Sequence, residues 1–228
     1  MVRRGIFTVL MAALMAALPA SADLKRPLSV GVEMVLAVDG SASITAGGLE
    51  FQLRGHAAAF RDPGVIDAVS MGGGMAATLV VFSGPHTLKV LVPWTVITDA
   101  PSAEAFAAKI QAAPRGVLAD STALGSAIDD ASKLFDSSGI KASRKVIDLV
   151  SNGFSNSGPD PALARDRAAA KDITINALAI LDEFPWLEEY YRDNVVGGPS
   201  GFVKTAFDRD SFVEALRQKL IQEIAALP

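Results

Sequence analysis

The chain of 228 residues has no cysteine and only two histidines. Without cysteine it can form neither a disulfide nor a thiolate metal site, and it offers no cysteine nucleophile. With only His56 and His86, there is no obvious pair of nucleophile and base, and the Gly-x-Ser-x-Gly motif is also missing. We therefore do not expect an enzyme.

Basic clusters and low-complexity segments are missing as well. The 21 Lys and Arg residues are scattered and are outnumbered by 25 Asp and Glu residues. This balance argues against nucleic acid or an anionic membrane as the partner. Half of the residues are hydrophobic, and there is no internal repeat or interdomain linker. The length and composition therefore predict one ordinary domain with a sizeable core.

The first 22 residues differ from the rest of the chain. Arg3 and Arg4 precede an apolar stretch at residues 6–18, and Ala20-Ser21-Ala22 has the small-x-small pattern of a cleavage site. This pattern predicts a signal peptide at residues 1–22, a single domain at residues 23–228, and a periplasmic or secreted location. The stretch is shorter than the roughly 20 residues of a membrane span. Loss of Arg3 and Arg4 leaves 19 basic and 25 acidic residues, a net charge of −6, and no expected membrane span.

The remaining sequence alternates between short apolar runs and segments with apolar residues at helical spacing. Strands are predicted at residues 33–38, 76–82, 88–92, 145–150, 173–180 and 202–206. Helices are predicted at residues 49–60, 102–112, 122–135, 161–171, 187–192 and 212–224. Pro93 is expected to stop the third strand, and Thr122 to open the third helix. The order predicts an α/β fold, a doubly wound, mainly parallel six-stranded sheet with one antiparallel edge strand and helices on both faces.

Polar oxygen-bearing side chains follow the first strand directly. Asp39 ends the apolar run, and Ser41 and Ser43 alternate after it, so that both hydroxyls can point to one spot near the carboxylate. One acidic and two neutral oxygens suit a hard cation such as Mg²⁺, and they do not suit zinc or copper. A plain turn, in which these side chains only satisfy loop amides, is the competing interpretation.

The Asp-x-Ser-x-Ser pattern after a buried strand resembles the first segment of the metal-ion-dependent adhesion site (MIDAS) of von Willebrand factor A (vWA) domains. The order of strands and helices is also that of vWA domains. Within this superfamily, four stretches are similar to a family of exported bacterial vWA-like proteins of unknown function: residues 61–63, 92–95, 173–180 and 190–195.

The vWA resemblance implies a site at the carboxyl ends of the strands. Ser41, Ser43 and Thr122 would be direct metal ligands, with Asp39 and Asn152 behind them, acting largely through water. The implied cofactor is a divalent cation, Mg²⁺ first and Mn²⁺ or Ca²⁺ next. The implied function is binding of a still unidentified protein partner, whose acidic side chain would complete the coordination.

One residue departs from the vWA pattern. The fourth strand of a metal-binding vWA domain usually ends in Asp-Gly, whereas this chain has Asn152-Gly153. Asn keeps the carbonyl oxygen and loses the charge, which lowers the expected cation affinity unless Asp120 compensates. The lost charge leaves open a metal-free interaction module, which would use the same rim or the helix with Tyr190 and Tyr191. A metal-dependent hydrolase built on Asp39 is a further alternative.

Overall fold

The computed structural model describes residues 29–116 and 118–226, so the predicted signal peptide at residues 1–22 lies outside the described residues. The strands of the described part are Ser29–Asp39 (β1), Met75–Phe82 (β2), Leu88–Ile97 (β3), Lys141–Ser151 (β4), Ile173–Ile180 (β5) and Val203–Ala206 (β6). Its helices are Ala46–Ala59 (α1), Pro63–Met71 (α2), Ala100–Ala112 (α3), Leu124–Ser137 (α4), Pro161–Ala169 (α5), Leu187–Asn194 (α6) and Arg209–Ala225 (α7). None of these helices is both long and apolar enough to cross a membrane.

The strands form one sheet in the order β3-β2-β1-β4-β5-β6. The edge strand β3 pairs antiparallel with β2, and all other pairings are parallel. The predicted doubly wound sheet is therefore confirmed. After β1, the chain adds β2 and β3 on one side of β1, and it then adds β4, β5 and β6 on the other side. The carboxyl ends of β1 and β4 thus flank the point at which the strand order reverses, where open α/β sheets bind ligands.

Side chains of β1 alternate between two hydrophobic cores, as expected for a strand with helices on both faces. Met34 and Leu36 pack into the core formed with α1, α2, α3 and α7. Val35 and Ala37 pack into the core formed with α4, α5 and α6. With both faces covered, β1 holds Asp39 at a fixed place on the carboxyl edge of the sheet.

The prediction that Pro93 stops the third strand is wrong. β3 continues to Ile97, and its pairing with β2 shifts register between the pairs Ala77–Thr95 and Leu79–Val92. Pro93 lies in this bulge on an edge strand, where its missing N–H removes no ladder hydrogen bond. The sequence analysis also did not predict α2. This helix begins at Pro63, directly after its N-cap Asp62.

A cluster of charged side chains is buried between α7 and the sheet. Lys219 of α7 contacts the Asp148 carboxylate of β4, and its Nζ donates to Glu223 Oε1 at 2.6 Å. Burial, followed by the charge of Asp148, raises the pKa of Glu223 to about 8. His56 of α1 is also fully buried, and burial lowers its pKa. Arg144 donates to the Glu223 and Ile224 carbonyls at 2.9 and 3.0 Å, which ties the end of α7 to β4.

Candidate functional site

The structure brings all five predicted site residues together at the carboxyl edge of the sheet. The side chains of four of them form a continuous hydrogen-bonded series, which we call the hydroxyl chain: Thr122, Ser41, Ser43 and Asn152. Thr122 Oγ1 lies 3.0 Å from Ser41 Oγ, which lies 3.3 Å from Ser43 Oγ. Ser43 Oγ in turn donates to Asn152 Oδ1 at 3.1 Å. Ser41, Thr122 and Asn152 are buried, and Ser43 faces solvent.

Asp39 lies at the base of this arrangement and has no exposed surface. Its Oδ1 accepts from the Ser41 backbone N–H at 2.7 Å, and its Oδ2 accepts from Ser151 Oγ at 2.5 Å. Burial raises the pKa of Asp39, and these hydrogen bonds oppose the shift. No ion pair joins Asp39 to a basic side chain in the part of the chain that the structure describes. A buried carboxylate without a paired charge is costly unless a cation or a proton compensates it.

Ser151 is a site residue that the sequence prediction did not single out. β1 and β4 pair in parallel with Val38 opposite Val150, so the next residues, Asp39 and Ser151, are neighbours. The signal that identifies Ser151 is therefore this register, which is not visible in either strand alone. Gly153 N donates back to Ser151 Oγ at 3.0 Å, which fixes the turn that follows β4.

The prediction that Thr122 opens the third helix is wrong by two residues. α4 begins at Leu124, its N-cap is Ala123, and that cap makes no side-chain hydrogen bond. The loop at Thr122 is held by the loop that follows β4 instead, because Asn156 Oδ1 accepts from the Thr122 backbone N–H at 2.9 Å. The Thr122 hydroxyl is thereby left to point at Ser41.

Asp120 does not join the hydroxyl chain in the described structure. Its Oδ1 accepts from the backbone N–H of the next residue, Ser121, at 2.6 Å. A Cβ atom at Gly84 would collide with its carboxyl group, so the side chain packs closely against the turn between β2 and β3. Asp120 lies on the rim of a hollow of about 320 Å³ that also contains Ser43 and Thr122.

Aromatic side chains flank this hollow on one side. Phe154 and Phe184 line it, their ring centroids are 5.4 Å apart, and both rings contact Trp186. Trp186 is 47% exposed, whereas Tyr191 is fully buried and donates from its hydroxyl to the Gly153 carbonyl at 2.7 Å. Burial raises the pKa of Tyr191 well above its usual value. Tyr191 is thus part of the core beneath the site.

The donor atoms of the site suit a hard cation. Three hydroxyl oxygens and one amide oxygen lie in series above a single buried carboxylate, and oxygen donors of this kind bind Mg²⁺, Mn²⁺ or Ca²⁺. In the described residues, no group of three or more His, Cys, Asp or Glu side chains is placed to hold a metal ion. The low charge of the donor set therefore favours weak binding.

Comparisons with known proteins agree with the fold. A model of the family described as "Protein of unknown function (DUF1194)" matches residues 29–228. No curated protein sequence matches the chain.

Solved structures with similar folds include vWA proteins. Proximal thread matrix protein 1 from the mussel byssus, with a zinc-occupied MIDAS motif, has a TM-score of 0.59 and 17% identity, over 87% of this chain and 49% of that protein. A von Willebrand factor type A structure from Catenulispora acidiphila has a TM-score of 0.59 and 19% identity, over 86% of this chain and 43% of that one. BatB from Bacteroides thetaiotaomicron has a TM-score of 0.54 and 20% identity, over 86% of this chain and 99% of that protein. The chain thus spans about half or less of the first two proteins, and the predicted vWA-type fold is confirmed.

Proposed function

The chain belongs to the DUF1194 family of proteins of unknown function, and we propose that it is an exported binding protein that recruits a protein partner through a divalent cation. The cation would be held by Ser41, Ser43 and Thr122, with Asp39 and Asn152 behind them. When bound, it supplies a positive charge at the rim of the sheet, to which a carboxylate of the partner is attracted. No catalytic role is proposed.

The observation that carries this proposal is the hydroxyl chain above the buried Asp39 carboxylate. The Ser41 hydroxyl lies 3.0 Å from that of Thr122, in a distant segment, and 3.3 Å from that of Ser43. A turn whose side chains only satisfy loop amides does not require this convergence. A cation there would also compensate the charge that burial isolates on Asp39. The zinc-occupied MIDAS motif of the mussel protein supports a divalent ion in this type of fold. It also means that zinc belongs among the ions to be tested, although the donor types alone argue against it.

A metal-free interaction module is the second candidate, and Asn152 favours it. Asn152 replaces a charged ligand and accepts a hydrogen bond from Ser43 at 3.1 Å, so the hydroxyl chain is satisfied without an ion. The hydrolase alternative lacks such support. His56 Nδ1 contacts the Gln52 carbonyl at 2.8 Å, and His86 lies against Asp130, so neither histidine is engaged with the hydroxyl chain.

Thermal unfolding tests the proposal. The chelated protein is titrated with Mg²⁺, Mn²⁺, Ca²⁺ and Zn²⁺, and a saturable rise of the midpoint is expected. At a hundredfold excess over the dissociation constant, binding adds about 2.7 kcal/mol of stability. For a chain of this size that corresponds to a rise of roughly 5 to 10 °C.

Variants assign the effect to the site. Ser41→Ala is expected to abolish the shift, and Asn152→Asp is expected to enlarge it because it restores the second carboxylate. Ser70→Ala, which removes a hydroxyl in α2 that bonds only backbone carbonyls, is the matched control and should keep the full shift. A shift that survives in Ser41→Ala would contradict the proposal. A shift seen only in Asn152→Asp would support the metal-free module.

A further inference from the structure

A second hollow, of about 390 Å³, adjoins the hydroxyl chain. It lies between α1, the loop after β5 and the start of α7. Its apolar lining includes Ile180 and the rings of Phe51 and Phe212, whose centroids are 5.1 Å apart. Ser43 and Glu183 line both this hollow and the first hollow, the one with Asp120 on its rim, so the two hollows adjoin each other. A segment bound at the hydroxyl chain would therefore reach the second hollow with a neighbouring side chain.

Three carboxylates surround this apolar lining. Asp182 and Glu183 are exposed, and neither forms an ion pair with a side chain that the structure describes. Asp208 caps α7, and its Oδ1 accepts from Ser211 N at 2.8 Å and from Ser211 Oγ at 2.7 Å. An apolar hollow with a rim of negative charge complements a cationic group with a flat, weakly hydrated face.

Gln52 provides an independent sign of a missing ligand. It lines the same hollow and is only 2% exposed. Its Nε2 lies 3.5 Å from the Asp39 carbonyl, and its Oε1 has no hydrogen-bond partner among the described residues. A buried acceptor without a donor is costly, so a ligand that brings N–H groups would gain from this atom.

We propose that the second hollow is a specificity pocket for an arginine side chain of the protein partner. The planar guanidinium suits the apolar lining, and its fork of N–H donors matches carboxylates and the Gln52 oxygen. Lysine offers a compact ammonium without this plane. The inference rests on the proposed function in one respect: the partner segment carries its arginine beside the carboxylate that approaches the cation.

The test uses Nα-acetyl-arginine amide as the probe, with the protein kept in chelator. Binding is followed by NMR through the side-chain amide signals of Gln52. A saturable shift is expected, with affinity at least about tenfold higher than that of the uncharged Nα-acetyl-citrulline amide and higher than that of Nα-acetyl-lysine amide. Exposed ion pairs contribute about 0.2 to 1 kcal/mol each, so Asp182→Asn combined with Glu183→Gln is expected to weaken binding about twofold to thirtyfold.

Asp67→Asn, which removes an exposed carboxylate of α2 that does not line this hollow, is the matched control and should bind arginine unchanged. Equal binding of citrulline or lysine, no shift of Gln52, or full affinity in the double variant would each overturn the assignment. Because the titration contains no metal, its result is independent of the thermal-shift experiment. Failure of the arginine pocket and failure of the cation site can therefore be told apart.

Discussion

Replacing Glu223 by glutamine is expected to flatten the pH dependence of stability. The folded protein holds the Glu223 proton up to about pH 8, because of burial and the neighbouring Asp148 charge. The unfolded chain releases that proton near the ordinary pKa of 4.5. Between these values the folded state binds more protons than the unfolded state, so stability falls as the pH rises. The slope for one such group is about 1.4 kcal/mol per pH unit.

The other buried groups determine the pH window. His56, from α1, has a lowered pKa in the folded protein, so the unfolded chain binds its proton first below about 6.5. Below this pH, the contribution of His56 to the free energy of unfolding rises with pH and partly cancels the contribution of Glu223. Lys219 and Arg144 are the cationic groups beside the cluster. The effect of Glu223 is therefore best isolated between pH 6.5 and 8. Across this interval the free energy of unfolding should fall by about 2 kcal/mol more in the wild type than in the variant.

Urea unfolding at half-unit pH steps measures this difference. The Glu223→Gln curve should diverge from the wild-type curve towards higher stability as the pH rises, while Asp136→Asn, an exposed acid of α4, should run parallel to the wild type. Parallel curves for Glu223→Gln would refute the reasoning. They would mean that Glu223 is ionised in the folded protein and that its contact with Lys219 compensates the burial.

Three further substitutions test the site. Ser151→Ala should lower the free energy of unfolding by about 1 to 3 kcal/mol in urea titrations, because the buried Asp39 carboxylate loses a donor at 2.5 Å. Tyr191→Phe keeps the ring packing but leaves the Gly153 carbonyl without its donor at 2.7 Å, and should cost about 1 to 2 kcal/mol in the same assay. Thr122→Val keeps the side-chain shape, so its circular dichroism spectrum should be native while its metal-induced thermal shift disappears. A retained shift would remove Thr122 from the ligand set.

The fold was predictable because its signal is local and repeated. Buried strands alternate with amphipathic helices, and the short connection before Leu88 requires an antiparallel edge. Asp39 was predictable as a site residue for the same reason, since it ends an apolar strand with polar residues following. Ser41 and Ser43 were predictable from their alternation after Asp39, whereas the roles of Thr122 and Asn152 followed from the vWA resemblance. The structure joins the four residues by consecutive hydrogen bonds.

The errors arise where one residue type fits two local structures. Threonine before an apolar helical stripe is typical of a helix cap, and only the contact with Ser41 distinguishes the actual conformation of Thr122. Proline usually ends a strand, but an edge bulge accommodates Pro93. Ser151 depends on the register between β1 and β4, and the connection to the second hollow depends on loops separated by more than a hundred residues. Tertiary contacts decide all four cases.

The bulged edge at Pro93 also limits how copies of the protein can associate. β3 presents ten residues at one border of the sheet, yet its proline and shifted register interrupt the regular backbone donors that another strand would need. The opposite border is formed by β6, which has only four residues. Neither border is suited to continuing the sheet into a neighbouring molecule. Self-association or filament growth by strand addition is thus disfavoured.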